Sequence, residues 1–508
     1  MKTTVSNKSF LFFYIFAVGI ATMGLEMSAA RLFAPHLGAS MVVWAALIGV
    51  ILLGLAGGYV WGGRLADRYP RPQVIFGVTL AVGLWIAAIP MTAPHLITTA
   101  GAVRLSGIAW LAGVSVFCSV ILLVPPIAGL GMVTPFVLRL VLDKVDRTGE
   151  VAGRMFAIST TGNILGVFLP TLVTIPCLGT WQTIEGIAGL LMVVSIVGLG
   201  ARSLPVLFLA VPFFVINPHL QTVSDGHELL AAKDSHYQYV RVEKDIEGST
   251  RHLVVNEGGG TQSLAGFPGL YTNDYWDYVA PLVTLCGSAE QKKVLVLGSA
   301  GGTIARQMRM LVPGRPMIDG VEIDPLVVEY GYRYFDNQAY DKVITADGRR
   351  FLQESEQRYD LVIVDAYSQQ MYVPFHMATR EFFQLARQDL AEDGILAMNV
   401  CGFSPDSKLL LSFASTLKAV FRHVYVVPLP RSFTYVVVAG DKAQDWDSWE
   451  AASPELMPIV ETIKALVKEV PNEKGGLVLT DNRAPVEFMT DREFWRFMRE
   501  LAGRRETT

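Results

Sequence analysis

Three acidic residues each close a short apolar run in the second half of the chain: Glu322 after "PMIDGV", Asp347 after "DKVITA" and Asp365 after "YDLVIV". Upstream, "KVLVLG" runs into Gly298, Ser299, Ala300, Gly301 and Gly302, a glycine-rich turn between an apolar run and a helical pattern. Carboxylates in such places can accept hydrogen bonds from sugar hydroxyls, stabilise a cation or take a proton from a nucleophile. Glu322 lies 20 residues after Gly302, the spacing at which an acid reaches both ribose hydroxyls of a nucleotide. Asp347 ends the following strand pattern, placed to reach the adenine edge. The loop lacks strict GxGxxG spacing and is a weak signal alone. Any one of the acids could be an ordinary strand-end turn former, but the set points to one crevice.

The elements that must position these residues follow from hydrophobic periodicity. "KVLVLG", "PMIDGVEID", "DKVITAD", "YDLVIVDAY" and "GILAMNV" read as strands, and helical patterns such as "PLVVEYGYRYF", "GRRFLQES" and "TREFFQLARQDL" separate them. That alternation predicts a mostly parallel sheet with helices on both faces, and ligands of open α/β sheets bind outside the carboxyl ends of the strands. Ahead of it, "HYQYVRVEKD" and "RHLVVNEGGGTQS" predict a small antiparallel sheet.

The first half is of a different kind. The 508 residues are 51% hydrophobic and 17% charged, with mean hydropathy +0.38. That average conceals a membrane part and a globular part. A spanning helix needs about 20 predominantly apolar residues. Candidates cover 10–30, 40–62, 73–93, 107–127, 155–176 and 182–201, with a shorter seventh run at 204–216. Residues 1–220 are therefore expected to form a polytopic transmembrane domain of about six to eight crossings, and 225–508 a nucleotide-binding catalytic domain, with the boundary near 217–228.

Arg64, Arg68, Arg71, Arg139, Lys144, Arg147, Arg154 and Arg202 share one side with Lys2 and Lys8 if the first six runs cross, and that side is cytoplasmic by the positive-inside rule. A seventh full crossing would carry the second half outside. Either 204–216 is interfacial or re-entrant, or the 122–142 stretch, broken at Pro125 and Pro126, contributes another crossing. The expectation is a multi-pass protein of the cell (inner) membrane with its catalytic domain in the cytoplasm. Glu26, inside the first run, is either functional or paired structurally with Arg31. The glycines of "LLGLAGGYVWGGRLADR" suit close helix packing, and no transporter-type internal repeat is evident.

Net charge −4 with no Lys/Arg-rich run in the second half gives no footprint for nucleic acid. Cys118, Cys177, Cys286 and Cys401 are far apart and are expected to be small buried residues. The eight histidines form no HxxxH pair, so no metal is expected.

"VLVLGSAGGT", "VEID", "ADGRRF" and "YDLVIVDAYS", in this order, resemble the spermidine synthase family of aminopropyltransferases, and "VNEGGGTQS" resembles the strand that brings that family's glutamine, here Gln262, over the nucleotide. This likeness covers about 230–435. "EMSAARLFAPHLGAS", "GRMFAISTTGNILG", "PFHMATREFF" and "LTDNRAPVEFM" resemble the polytopic membrane proteins fused to a spermidine-synthase-like domain. The resemblance implies an α-helical transmembrane bundle followed by an α/β Rossmann-like, spermidine-synthase-type domain with a small antiparallel N-terminal β-sheet.

It also implies a cosubstrate, decarboxylated S-adenosylmethionine, whose methylene beside the sulfonium is attacked by an amine with release of methylthioadenosine. Carried over residue by residue, Gln262, Gly298, Ser299, Gly301, Gly302, Glu322, Asp347 and Gly348 bind the cosubstrate. Asp365, with Tyr367 beside it, serves the chemistry. The departures matter as well: Gly301 stands where the family's loop aspartate is, Asn273, Asp274 and Tyr275 replace a Tyr-His-Glu run, and Ser368 replaces a second acid. Each lost carboxylate removes a charged hydrogen bond worth about 1.5–3 kcal/mol to a cationic ligand, which disfavours a free diamine and admits intact S-adenosylmethionine.

The sequence thus leads to a membrane-bound transferase moving the propyl-type arm of S-adenosylmethionine or its decarboxylated form to another acceptor, or cleaving that arm intramolecularly in a lyase-like outcome. The alternatives are an S-adenosylmethionine-dependent methyltransferase, and a transporter or sensor with a regulatory nucleotide-binding domain. Expected partners are the lipid bilayer and a small-molecule or lipid acceptor, with a homodimer as the assembly to be considered and no nucleic acid.

Overall fold

The computed structural model describes residues 8–37, 41–101, 108–142, 148–206, 212, 223–256, 260–286, 291–368, 371–430, 432–471 and 475–505. The chain divides into two compact units, Met1–Thr222 and Val223–Thr508.

The first unit is helical: α1 (Lys8–Leu37), α2 (Met41–Arg68), α3 (Pro72–Gly101), α4 (Ile108–Gly131), α5 (Val133–Val141), α6 (Thr148–Leu169), α7 (Ile175–Leu178) and α8 (Thr180–Leu199). Among the described residues, six stretches are long and apolar enough to cross a membrane: Lys8–Ala34, Met41–Arg68, Pro72–Ile97, Ala112–Val141, Thr148–Leu178 and Thr180–Leu199. Lipid offers helices no hydrophobic reason to associate, so close approach of backbones at small residues must hold them. Helices α1 and α6 meet this way, since a Cβ on Gly162 would lie 2.3 Å from the Phe16 carbonyl and one on Gly166 2.4 Å from that of Ile20. Gly58 and Gly62 do the same for α2, against Ala128 and Met132.

The expected break at Pro125 and Pro126 is not there. Helix α4 runs through both prolines to Gly131, and one candidate span covers Ala112–Val141. Pro126 has no N–H for the carbonyl four residues back, that of Leu122. The Trp85 indole supplies the missing donor at 3.1 Å, which is how a proline is tolerated within a membrane helix. The 204–216 run falls, apart from 204–206 and 212, outside the described residues. Cys177 is exposed and Cys401 half-buried, against the expectation that all four cysteines are buried.

The second unit begins with antiparallel sheet A, in order β1 (His227–Asp234), β2 (Tyr239–Asp245), β3 (Arg251–Val255) and β4 (Thr261–Ala265). Period-2 alternation points Val240, Val242 and Leu253 at a core with Leu326, Tyr330 and Phe335. A short helix, α9 (Tyr275–Val279), leads to sheet B. Its strands are β5 (Lys293–Leu297), β6 (Met317–Glu322), β7 (Lys342–Thr345), β8 (Tyr359–Val364), β9 (Leu390–Cys401), β10 (His423–Pro428), β11 (Thr434–Gly440) and β12 (Lys468–Glu469). Helices α10 (Thr303–Leu311), α11 (Pro325–Tyr334), α12 (Gly348–Glu354), α13 (Arg380–Gln388), α14 (Lys408–Lys418), α15 (Met457–Leu466) and α16 (Val486–Arg505) complete the unit.

Sheet B has the order β12-β10-β11-β9-β8-β5-β6-β7. Strands β9, β8, β5, β6 and β7 run parallel, and β11, β10 and β12 extend the sheet antiparallel. Alternate residues separate two apolar layers: Val294, Val296, Ile318 and Ile363 face one, and Leu295, Leu297, Val362 and Val364 the other. The chain moves outward from β5 to β6 and β7, then returns to β8 on the opposite side. The strand order therefore reverses between β5 and β8, and the crevice at such a reversal is where open α/β sheets bind ligands.

Candidate active site

Gly298 follows β5 at this reversal with φ +89°. A Cβ there would lie 2.3 Å from the Asp365 carbonyl, so the loops after β5 and β8 touch through a glycine. The next turn is closed by the protein itself. Gly298 and Ser299 N–H both donate to the Val321 carbonyl (2.8 and 3.0 Å), and Gly302 N–H donates to the Ser299 carbonyl (3.1 Å). Ala300 N–H donates to Glu322 Oε2 (3.1 Å) and Gly301 N–H to Ser263 Oγ (2.8 Å). A phosphate cradle needs several converging N–H groups left for the ligand. All five here have protein acceptors, which favours a nucleoside without a diphosphate.

The three acids converge on a cavity of about 240 Å³, whose wall includes Gln262, Gly298, Glu322, Asp347, Gly348, Asp365 and Tyr367. Glu322, at the end of β6, is 9% exposed. It accepts the Ala300 N–H and, at 3.1 Å, the Asp324 N–H. Burial pushes its carboxyl up to about 7 in spite of these bonds. Asp347 also caps α12, accepting the Arg350 N–H at 2.9 Å, while its other oxygen is 3.5 Å from His376 Nε2. The turn-former reading of a strand-end acid thus holds for Asp347 alongside its place in the cavity wall.

Asp365 is fixed from two sides. Tyr275 Oη donates to Oδ2 at 2.7 Å and Asn399 Nδ2 to Oδ1 at 3.0 Å. Burial again dominates and pushes this carboxyl up to about 7, with the negative charges of Asp274 and Glu322 adding to the effect. Tyr367 is part of the cavity wall, and its hydroxyl donates to the Asn399 carbonyl at 2.9 Å. Among the described residues of the wall, the acidic side chains are Glu322, Asp347 and Asp365, and His376 is the one basic side chain. Such a wall suits a cation.

Ser299, Gly301 and Gly302 stand apart from the wall. Ser299 is 4% exposed. A Cβ on Gly301 would meet Ser263 Cβ at 2.9 Å and Phe335 Cβ at 3.0 Å, and Gly302, at φ +91°, precedes α10 where a Cβ would lie 2.6 Å from the Asp336 carbonyl oxygen. These three shape the turn, and position 301 has no room for a longer side chain.

Tyr275 and Asn399 were not among the residues the sequence singled out for the site. Asn399 left a trace, a polar residue within the otherwise apolar "GILAMNV". Tyr275 stood out only as a departure from the resembled family's Tyr-His-Glu run, and nothing local shows that it reaches Asp365 across 90 positions. Tyr237, Gln238 and His376 also join the wall. Arg349 braces the rim, donating to both carboxylate oxygens of Asp481 at 2.7 and 2.6 Å.

Residues 277–444 match the spermine/spermidine synthase domain family. A probable polyamine aminopropyl transferase of Bifidobacterium longum is 28% identical over 277 residues, 50% of this chain and 61% of that protein. An N-terminal histidine N-methyltransferase of Emericella nidulans is 26% identical over 310 residues, 53% of this chain and 50% of its own. The chain therefore spans less than two thirds of the length of either curated relative. A probable spermidine synthase from Corynebacterium glutamicum aligns with TM-score 0.39 and 18% identity over 47% of this chain and 89% of its own.

Proposed function

We propose, on the premise that the second unit carries a spermine/spermidine synthase domain, that it moves the propyl-type arm of S-adenosylmethionine or decarboxylated S-adenosylmethionine to an acceptor other than a free diamine. The observation that carries this reading is Asp365, held by Tyr275 and Asn399 at the strand-order reversal and sharing one cavity with Glu322. Glu322 takes the ribose hydroxyls and Asp347 the adenine edge, with Gln262 on β4 above the nucleoside. The acceptor's nucleophilic atom attacks the methylene beside the sulfonium. The new bond forms as the carbon–sulfur bond breaks, its electron pair staying on sulfur to give neutral methylthioadenosine. The proton lost by the nucleophile passes to the Asp365 carboxylate, and a group titrating near neutrality is suited to that transfer.

Three features support the cosubstrate class: the acidic wall, the five N–H groups already bonded within the turn, and the activity named for the Bifidobacterium relative. The closed position at Gly301 and Ser368 in place of a second acid leave few anionic partners for a diammonium chain, which supports a different acceptor. The six apolar helices among the described residues support an acceptor that lives in or passes through the bilayer, such as a lipid headgroup. The Lys/Arg distribution supports a cytoplasmic second unit. Attack by the ligand's own carboxylate fits the same geometry. Methyl transfer is the second reading, favoured by the Emericella relative.

Purified full-length chain in native lipid, given decarboxylated S-adenosylmethionine labelled in its aminopropyl arm, should release methylthioadenosine and pass label to a lipid or other non-diamine product. Label recovered chiefly in spermidine when putrescine is added would overturn the acceptor assignment.

A further inference from the structure

Sheet A carries a constellation that the nucleotide cavity does not use. His227 on β1 pairs in register with Asp245 on β2. His252 on β3 pairs with Glu243, two residues before Asp245 and therefore on the same face. The two imidazoles turn the same nitrogen toward one carboxylate oxygen: His227 Nε2 lies 3.1 Å and His252 Nε2 2.9 Å from Asp245 Oδ1. Their rings meet edge to face, with centroids 4.7 Å apart. One ligand atom from each residue falls within 4.8 Å of the others.

We propose that His227, Asp245 and His252 form a site for a divalent transition metal of the zinc class, bound through two imidazole Nε2 atoms and a carboxylate. The convergence of three donor atoms carries the argument, and the outer nitrogens support it. His227 Nδ1 lies 3.0 Å from the Asp225 carbonyl oxygen, which can only accept, so Nδ1 holds a proton. The ring's Nε2 is thereby turned to Asp245 Oδ1, where a proton or a metal cation can sit between the two atoms. A backbone carbonyl bonded to the far nitrogen of a ligating histidine is the usual support for such a ligand, because it fixes tautomer and ring orientation. His252 Nδ1 has Thr261 Oγ1 at 3.3 Å, a hydroxyl that can accept from it or donate to it.

The dimensions agree. Tetrahedral zinc with ligands at about 2.0–2.1 Å holds its donor atoms about 3.3 Å apart, a few tenths of an ångström beyond the two histidine–carboxylate distances here. Two imidazoles with one carboxylate suit zinc, cobalt or nickel over magnesium or calcium. The side chains are 22%, 36% and 19% exposed in chain order, so a water or an outside ligand can take the fourth position. None of the three lines the nucleotide cavity. The metal would clamp β1, β2 and β3 together, and β3 pairs with β4, the strand that carries Gln262. Its role is thus to stiffen the sheet beside the site, without a part in group transfer.

The test uses the full chain in detergent, without a polyhistidine tag, stripped with chelator and titrated with Zn²⁺ and separately with Co²⁺. The expected result is one saturable site per chain, intense visible cobalt bands of a four-coordinate centre, and a Zn²⁺-dependent rise in melting temperature that chelator reverses. His227→Gln and His252→Gln should each weaken Zn²⁺ binding at least tenfold while melting like the chelator-stripped wild type. No saturable binding by the wild type, or affinity unchanged in both variants, would overturn the proposal. Should a variant fail to fold, the wild-type melting shift decides alone, and its absence counts against the site.

Discussion

Replacing Asp365 with asparagine should make the fold more stable as the pH rises while removing turnover. The substitution keeps the shape and the bonds: the oxygen of the new amide can accept from Asn399 Nδ2, and its nitrogen can donate to Tyr275 Oη, since a phenol oxygen serves either role. What changes is the buried charge. The carboxyl is displaced from 3.8 to about 7, which at about 1.4 kcal/mol per pH unit penalises the ionised fold by about 4 kcal/mol. Half-burial and relaxation reduce this to about 2 kcal/mol. The unfolded carboxyl loses its proton near pH 4 and the folded one near pH 7, so the wild type loses stability across that window and the asparagine variant does not. The variant should melt within a degree or two of wild type near pH 4.5 and about 4–8 °C higher at pH 8. Its turnover should fall about 10²- to 10⁴-fold with nucleoside binding kept. A melting difference that stays constant from pH 4.5 to 8 would refute the burial argument, and undiminished turnover would remove Asp365 from the chemistry.

Glu322→Ala should weaken methylthioadenosine by about 1.5–3 kcal/mol in calorimetry, the scale of a charged hydrogen bond; an unchanged affinity takes Glu322 out of the ribose site. Gly298→Ala places a Cβ 2.3 Å from the Asp365 carbonyl at φ +89°, so the denaturation midpoint should drop by the equivalent of about 2 kcal/mol or more, with nucleoside binding lost. Trp85→Phe leaves the Leu122 carbonyl without its donor and should cost about 1 kcal/mol in thermal stability of the helical unit. Equal melting of the two forms would show that the carbonyl needs no such partner.

What could be read from the sequence was what repeats locally. An apolar run ending in an acid gave Glu322, Asp347 and Asp365, and the alternation of strands with helices gave the parallel core. Contacts set by topology left little trace. Tyr275 and Asn399 meet at Asp365 from an early helix and a later strand, and the two histidines and Asp245 come together only when three strands pair. Histidine spacing along the chain carries no information about spacing across a sheet, which is what brings His227 and His252 to Asp245. Strand β1, "HELLAAKD", escaped because its polar residues and short aliphatics lack clean alternation. The glycine loop was legible as a turn, yet which of its residues face the ligand depended on Ser263 and Phe335 filling the space beside Gly301. At Pro125 and Pro126 a local rule predicted a break that a tryptophan from a neighbouring helix repairs.

The central claim is arm transfer from an adenosyl sulfonium at Asp365, and the identity of the released nucleoside tests it most directly. Wild-type chain incubated with S-adenosylmethionine or its decarboxylated form, followed by mass spectrometry, should yield methylthioadenosine, and Asp365→Asn should not. S-adenosylhomocysteine in its place would contradict arm transfer and establish methyl transfer; no nucleoside product with any acceptor would leave a regulatory domain as the better account.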